Sequence, residues 1–242
     1  MPLAVWWMHM SRAEAILAGL QAILVPVALV GLGVRLLLTP QYLELEYRVP
    51  GFPTDEYGFS VEERTYWGTF GINYLLNDAT PAYLGDLRFN DGEPVFTRRE
   101  VEHMRDVKGV VAAVLRAWYV ALMLMAALGI WAWRAGWSRA YRAGLRRGGG
   151  LTLVIAGAAA VLGTLGASGS GGLFWAFFSG FHGLFFSGDS WLFAYSDTLI
   201  RLYPLRFWQD SMLYIGALAT LGGLALVLGL RARASSMRRS SE

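Results

Sequence analysis

Apolar residues come in long blocks along this chain rather than in alternation, and the blocks organise the reading. About 20 consecutive apolar residues cross the hydrocarbon core of a bilayer as a helix. Four stretches fit, at about 15–38, 108–134, 151–168 and 211–231. The first carries Gln21 as an isolated polar residue and Pro26, which is placed to kink it. The second is interrupted by Arg116, and the third is short and rich in Gly and Ala, residues that let neighbouring helices approach closely. A further apolar segment, Ser168 to Ser187, reads SGSGGLFWAFFSGFHGLFFS. A full span there would put the basic tail on the wrong side of the membrane. A broken, re-entrant or interfacial segment covered by protein is therefore expected.

Between the spans lie two loops, 39–107 and 169–210, too long to be bare connectors. The first opens with a Pro- and Tyr-rich stretch, Thr39 to Tyr57, that reads as extended. Ser60-Val61-Glu62-Glu63 is a capping box, in which the Ser hydroxyl and the Glu carboxylate cap each other's backbone N–H. It predicts a helix to about Leu76, with Tyr66, Phe70, Tyr74 and Leu75 on a sticky face. Asp78 to Pro94 is rich in turn residues. Thr97-Arg98-Arg99-Glu100 is a second capping box, starting a helix that runs without a break into the second span. The fold expected is all-α and membrane-integral: a single membrane domain over 1–242, with four transmembrane helices and two structured extracytoplasmic loops containing short helices.

Charge gives the direction. Residues 134–150 hold Arg134, Arg139, Arg142, Arg146 and Arg147 with no acid, and the tail holds Arg231, Arg233, Arg238 and Arg239 against Glu242. Short flanks rich in Arg stay in the cytoplasm. The stretch 39–107 is the reverse, with 13 acids against 6 Arg. Both termini and the 134–150 loop are therefore expected inside, and the loops 39–107 and 169–210 outside. Composition agrees: charged residues are 16% of the chain, against roughly a quarter in soluble domains. The basic residues are explained by topology and by anionic lipid, so no nucleic-acid partner is expected. No cleavable signal peptide is read in the first ten residues. Cys is absent, which excludes disulfides, thiolate nucleophiles and Cys-ligated metal.

Three His remain as candidate acid–base groups. His9 sits near the cytoplasmic terminus and reads as incidental. His103 and His182 fall in different outer loops but on the same membrane face, and His is the usual proton-transfer side chain near neutral pH. Asp106 shares a helix face with His103. No H-x-x-x-H or H-E-x-x-H spacing exists, so no metal site is expected. Ser179 and Ser187 flank His182, but the G-x-S-x-G elbow of a Ser hydrolase is missing. Arg35 and Arg116 read either as functional intramembrane charges or as snorkelling side chains. Phe174, Phe178, Phe181 and Phe185 would line a slot for acyl chains, or else anchor the segment in lipid.

Two blocks carry a resemblance. The first is Val95-Phe96-Thr97-Arg98-Arg99-Glu100-Val101-Glu102-His103-Met104-Arg105-Asp106-Val107-Lys108. The second runs from Phe181-His182-Gly183-Leu184-Phe185-Phe186 through Trp191-Leu192-Phe193 and Asp197-Thr198-Leu199-Ile200 to Tyr203-Pro204 and Phe207-Trp208. Together they resemble the lipoprotein intramolecular transacylase family, and the four-span plan matches it as well. The resemblance implies a bacterial cytoplasmic-membrane enzyme. Its substrate would be a lipoprotein whose N-terminal Cys carries a diacylglyceryl thioether and a free α-amine. The sn-2 acyl chain would move to that amine, giving the lyso form. No cofactor and no soluble acyl donor is implied; the partners are the diacylated lipoprotein and membrane lipid. His103 and His182 would be catalytic, one as base and the other polarising the carbonyl or returning the proton, with Asp106, Arg35, Trp191 and Asp197 in support. The competing classes are a non-catalytic scaffold or transport subunit and an outer-leaflet acyl hydrolase.

Overall fold

A computed structural model describes residues 11–167 and 172–239; His9 lies outside these residues. Among them are nine helices: α1 (Arg12–Leu37), α2 (Pro40–Glu46), α3 (Val61–Leu76), α4 (Ala82–Gly85), α5 (Arg98–Arg134), α6 (Ser138–Ala167), α7 (Gly172–Phe185), α8 (Thr198–Leu202) and α9 (Leu205–Arg239). Helices α1, α5 and α9 are long and apolar enough to cross a membrane, yet only 33%, 6% and 11% of their apolar windows are buried by protein. Ile16, Met123, Trp133 and Leu221 stand exposed on them. Apolar surface on that scale is covered by lipid, and the chain is a membrane protein.

Two expectations are corrected here. Thr39–Tyr57 is not wholly extended: Thr39 Oγ1 accepts the Tyr42 N–H and Pro40 sits at the first helical position, so α2 forms. The stretch 134–150 is not a loop, since α6 begins at Ser138 and carries Arg139, Arg142, Arg146 and Arg147 as helical residues. Only residues 135–137 separate α5 from α6, and Gly136 takes a left-handed φ of 82° in that turn. Both capping boxes form as read, at Ser60–Glu63 and Thr97–Glu100. The face assigned to α3 is split, with Tyr74 buried in the core and Tyr66 exposed.

The described residues fall into two compact units. One draws on the described residues of 11–33, 116–162 and 215–239. Within it α6 meets α1 and α9 at glycines: a Cβ on Gly148 would lie 2.5 Å from Val25 Cβ, and one on Gly149 2.8 Å from the Gly223 carbonyl oxygen. Gly148 and Gly149 thus mark the places where α6 comes close to the backbones of α1 and α9.

The other unit draws on Val34–Leu115 and Gly163–Tyr214 and contains both candidate histidines. Its core packs Tyr74, Leu84, Val95, Phe96, Val101 and Met104 against Leu199 and Leu202 of α8. A second cluster joins Tyr42, Leu43 and Tyr47 to Ile72 and Phe207. Buried Arg64 of α3 donates from Nε and Nη2 to the Arg201 carbonyl and from Nη1 to that of Pro53. Tyr47 donates its hydroxyl proton to the Leu202 carbonyl at 2.7 Å. Asp55 and Arg201 form a part-buried ion pair at 2.9 Å, and Asp55 also accepts the Phe59 N–H. Burial pushes the Asp55 carboxyl up, but the bonds from Arg201 and Phe59 outweigh it and hold it below the usual range. Removing Asp55 leaves the largely covered Arg201 guanidinium without its carboxylate and the Phe59 N–H without its acceptor. Asp55→Ala is therefore expected to destabilise the protein by about 1–3 kcal/mol, read as a lowered thermal unfolding midpoint in detergent; an unchanged midpoint would contradict this account.

Candidate active site

His103 lies on the second turn of α5, ahead of the apolar stretch of that helix, and His182 on the last turn of α7. The Thr97–Glu100 box fixes where α5 starts, and so fixes which way His103 points. Helix α7 ends just past His182; Phe186 N–H still bonds the His182 carbonyl, and Gly188 turns the chain with φ 60°. The two imidazoles stack nearly parallel, 19° apart in plane, with centroids separated by 6.3 Å.

Aromatic rings enclose the pair. Phe186 and Phe193 pack on His103 at 4.9 and 5.3 Å. Phe178 and Trp191 pack on His182 at 4.1 and 4.7 Å. This dry setting governs protonation. Burial, reinforced by neighbouring His182 and only partly opposed by Asp106, lowers the His103 pKa to about 4. Burial lowers that of His182 as well, against the opposing bond to Phe178. Both rings are therefore neutral at pH 7.

Their hydrogen bonds differ. His182 Nδ1 lies 2.7 Å from the Phe178 carbonyl oxygen. A carbonyl only accepts, so Nδ1 carries the proton and Nε2 presents a lone pair. His103 Nδ1 is buried with no hydrogen-bond partner. Such a group is costly to leave unmet unless an incoming polar group satisfies it.

The supporting residues divide. Trp191 is at the pair. The Asp106 carboxylate does not reach the His103 ring nitrogen; it is held by Arg105, at 3.1 Å from Nε and 3.0 Å from Nη2. Arg35 donates to the Leu38 carbonyl at 3.4 Å. Asp197 accepts the Ala194 N–H at 2.9 Å, fixing the turn before α8. Of the four phenylalanines, Phe178 touches His182 and stacks on Phe174 at 6.0 Å, while Phe181 and Phe185 pair at 5.0 Å on the exposed side of α7. Phe186 and Phe193 were not singled out by residue reasoning; nothing in their spacing distinguishes them from other aromatics nearby. A groove of about 470 Å³ elsewhere in this unit is lined by Glu44, Arg48, Thr65, Tyr66, Phe70 and Asn73 and includes neither histidine.

Comparison with known proteins places nearly the whole chain beside one family. A family model described as lipoprotein intramolecular transacylase Lit matches residues 19–208. An uncharacterized protein of Aquifex aeolicus (strain VF5) is 30% identical over 209 residues, covering 85% of this chain and 88% of that protein. The in meso structure of the membrane integral lipoprotein intramolecular transacylase Lit from Bacillus cereus superposes with a TM-score of 0.73 at 20% identity, covering 96% of this chain and 99% of that one. A histidine-to-arginine variant of the same protein gives 0.69 at 20% identity, covering 98% and 97%.

The protonation of His103 can be read directly. Labelled with ¹⁵N-histidine, the protein should show His103 titrating near pH 4 rather than near 6.5. The unfolded chain then takes up a proton that the folded chain does not, so this residue's contribution to stability falls as pH drops from about 6.5. A midpoint at or above 6.5 would rule out the dry setting.

Proposed function

The chain belongs to the lipoprotein intramolecular transacylase family, and from that membership we propose that it moves the sn-2 acyl chain of a diacylglyceryl-Cys lipoprotein onto the Cys α-amine. The observation that carries the proposal is the pair of neutral imidazoles from two helices, one with its tautomer fixed.

A free α-amine has a pKa near 7.7–8.0; its ammonium form first sheds a proton to solvent, and the neutral amine then attacks the ester while a base takes a second N–H proton. His182 Nε2 is the base: its lone pair is turned outward by the bond from Nδ1–H to Phe178. The amine nitrogen attacks the sn-2 carbonyl carbon, and the tetrahedral oxyanion is stabilised by a donor. His103 supplies this donor or returns the proton, its unmet Nδ1 being the group an incoming substrate would satisfy. The C–O bond to glycerol then breaks, the glycerol oxygen takes the proton removed from nitrogen, and an amide and a free hydroxyl remain. Starting from the neutral amine, no proton is gained or lost. Amine and ester belong to one molecule, and such proximity is worth up to roughly 7–11 kcal/mol. The reaction draws on no cofactor and no soluble acyl donor. Trp191 supports the site by ring packing, Asp106 by its charge near His103, and Asp197 by the backbone bond that fixes the turn before α8; Arg35 is engaged at the end of its own helix.

In the same reading α6 is the fourth span, through its apolar stretch from Leu151, and the Arg-rich ends of α6 and α9 lie in the cytoplasm. The histidines then face outward, where the lipoprotein head group lies. Phe174, Phe178, Phe181 and Phe185 line the acyl-chain slot beside His182.

The test is fragmentation mass spectrometry of a lipoprotein N-terminal peptide from a host without other N-acylating enzymes. The parent chain should shift one acyl chain to nitrogen at unchanged total mass. His103→Ala and His182→Ala should each cut the rate by about 10²–10⁴-fold. Loss of a chain would make the protein a hydrolase, and an untouched diacyl form would make it a scaffold. Phe181→Asp or Phe185→Asp, in folded protein, should weaken conversion; full conversion would count against the slot.

A further inference from the structure

The first turn of α5 carries two residues that the reaction does not use directly. Arg99 donates from Nη2 to the Asp189 carbonyl, pairs with the Asp189 carboxylate at 3.6 Å, and lies over the Phe193 ring at 5.6 Å. Glu100 is fully buried and accepts the Leu199 N–H through Oε1 at 2.7 Å. The segment 189–199 is thus tied to α5 at both ends. Between the ties hang Trp191, packed on His182, and Phe193, packed on His103. Residues Asp189, Leu192 and Tyr195 of the same segment are exposed. The bonds from Leu192 N–H to the Asp189 carbonyl and from Asp197 N–H to the Ala194 carbonyl are internal to the segment.

We propose that Arg99 is a positioning residue for both histidines, holding the 189–193 strap so that Trp191 and Phe193 stay closed over the imidazoles. It touches neither imidazole in the contacts described above; its guanidinium acts on a backbone carbonyl, a carboxylate and a ring face at once, a combination suited to a planar cation. The exposed ion pair alone is worth little. The carbonyl bond and the stacking over Phe193 fix the geometry. Freed at this end, the strap lets water reach His103, and a misplaced base loses rate steeply. The inference rests on the transacylase reading for its rate measurement but not for its titration measurement.

The experiment compares the full chain with Arg99→Ala and Arg99→Lys, using a synthetic diacylglyceryl-cysteinyl peptide with a free α-amine. Arg99 is half-exposed, so the Ala variant is expected to fold. It should lose about tenfold in kcat with KM within about twofold, and its His103 ¹⁵N titration should move up toward 6.5. Lys should restore part of both. Parental rate and parental titration in Arg99→Ala would overturn the proposal. A fall in rate with an unmoved titration would overturn it too, since Arg99 would then act on substrate. If Arg99→Ala fails to fold, Arg99→Met, which keeps the side-chain stem but neither donates to the Asp189 carbonyl nor places a cation over Phe193, is read by the same titration, and an unmoved midpoint there would likewise overturn it. If the parent transfers nothing, the function fails while the titration still decides the role of Arg99.

Discussion

Glu100 places both oxygens of a buried carboxylate on backbone N–H groups, those of Thr97 in its own capping box and of Leu199 at the start of α8. Burial raises the pKa of this carboxyl, and the two backbone bonds work against that rise. Helix α8 has five residues and could not persist alone. It persists because Glu100 of α5 accepts the Leu199 N–H, while Arg64 and Tyr47 donate to the carbonyls of Arg201 and Leu202 at its other end. The core of the histidine-bearing unit, with Val101 and Met104 against Leu199 and Leu202, assembles around that junction. His103 stands one turn further along α5 from the same carboxylate.

Features fixed within one turn of chain were legible. The Ser60 and Thr97 boxes, the ends of α3 and the unbroken run of α5 follow from hydroxyl and carboxylate three residues apart. Helix α2 was missed because its Pro and Tyr content read as extended chain, although Thr39-Pro40 is itself a start signal. The beginning of α6 was missed because its Arg residues were read for topology and not for their helical spacing. The nearness of His103 and His182 was beyond sequence reasoning, since no local spacing encodes a contact between two separate helices. Asp106 shows the converse limit. Spacing put it on the His103 face, but the adjacent Arg105 guanidinium, a stronger partner for a carboxylate than a neutral imidazole, takes it.

The two imidazoles owe their states to different sources. The tautomer of His182 is written into its own helix, through a carbonyl four residues back. The low proton affinity of His103 comes from rings supplied by other segments, Phe186 and Phe193, and from His182 itself. One residue is thus prepared locally and the other only when the unit has closed.

The aromatic roof over the pair also bears on what else the site would catalyse. An activated ester beside a general base is open to any nucleophile, and water is the most abundant. In the proposed reaction the amine arrives tethered to the same lipid, whereas water must pass Trp191 and Phe193. In that reaction the roof would set chemoselectivity: it would decide how often the substrate leaves with its acyl chain relocated and how often with one chain fewer, an error that no later step at this site could correct.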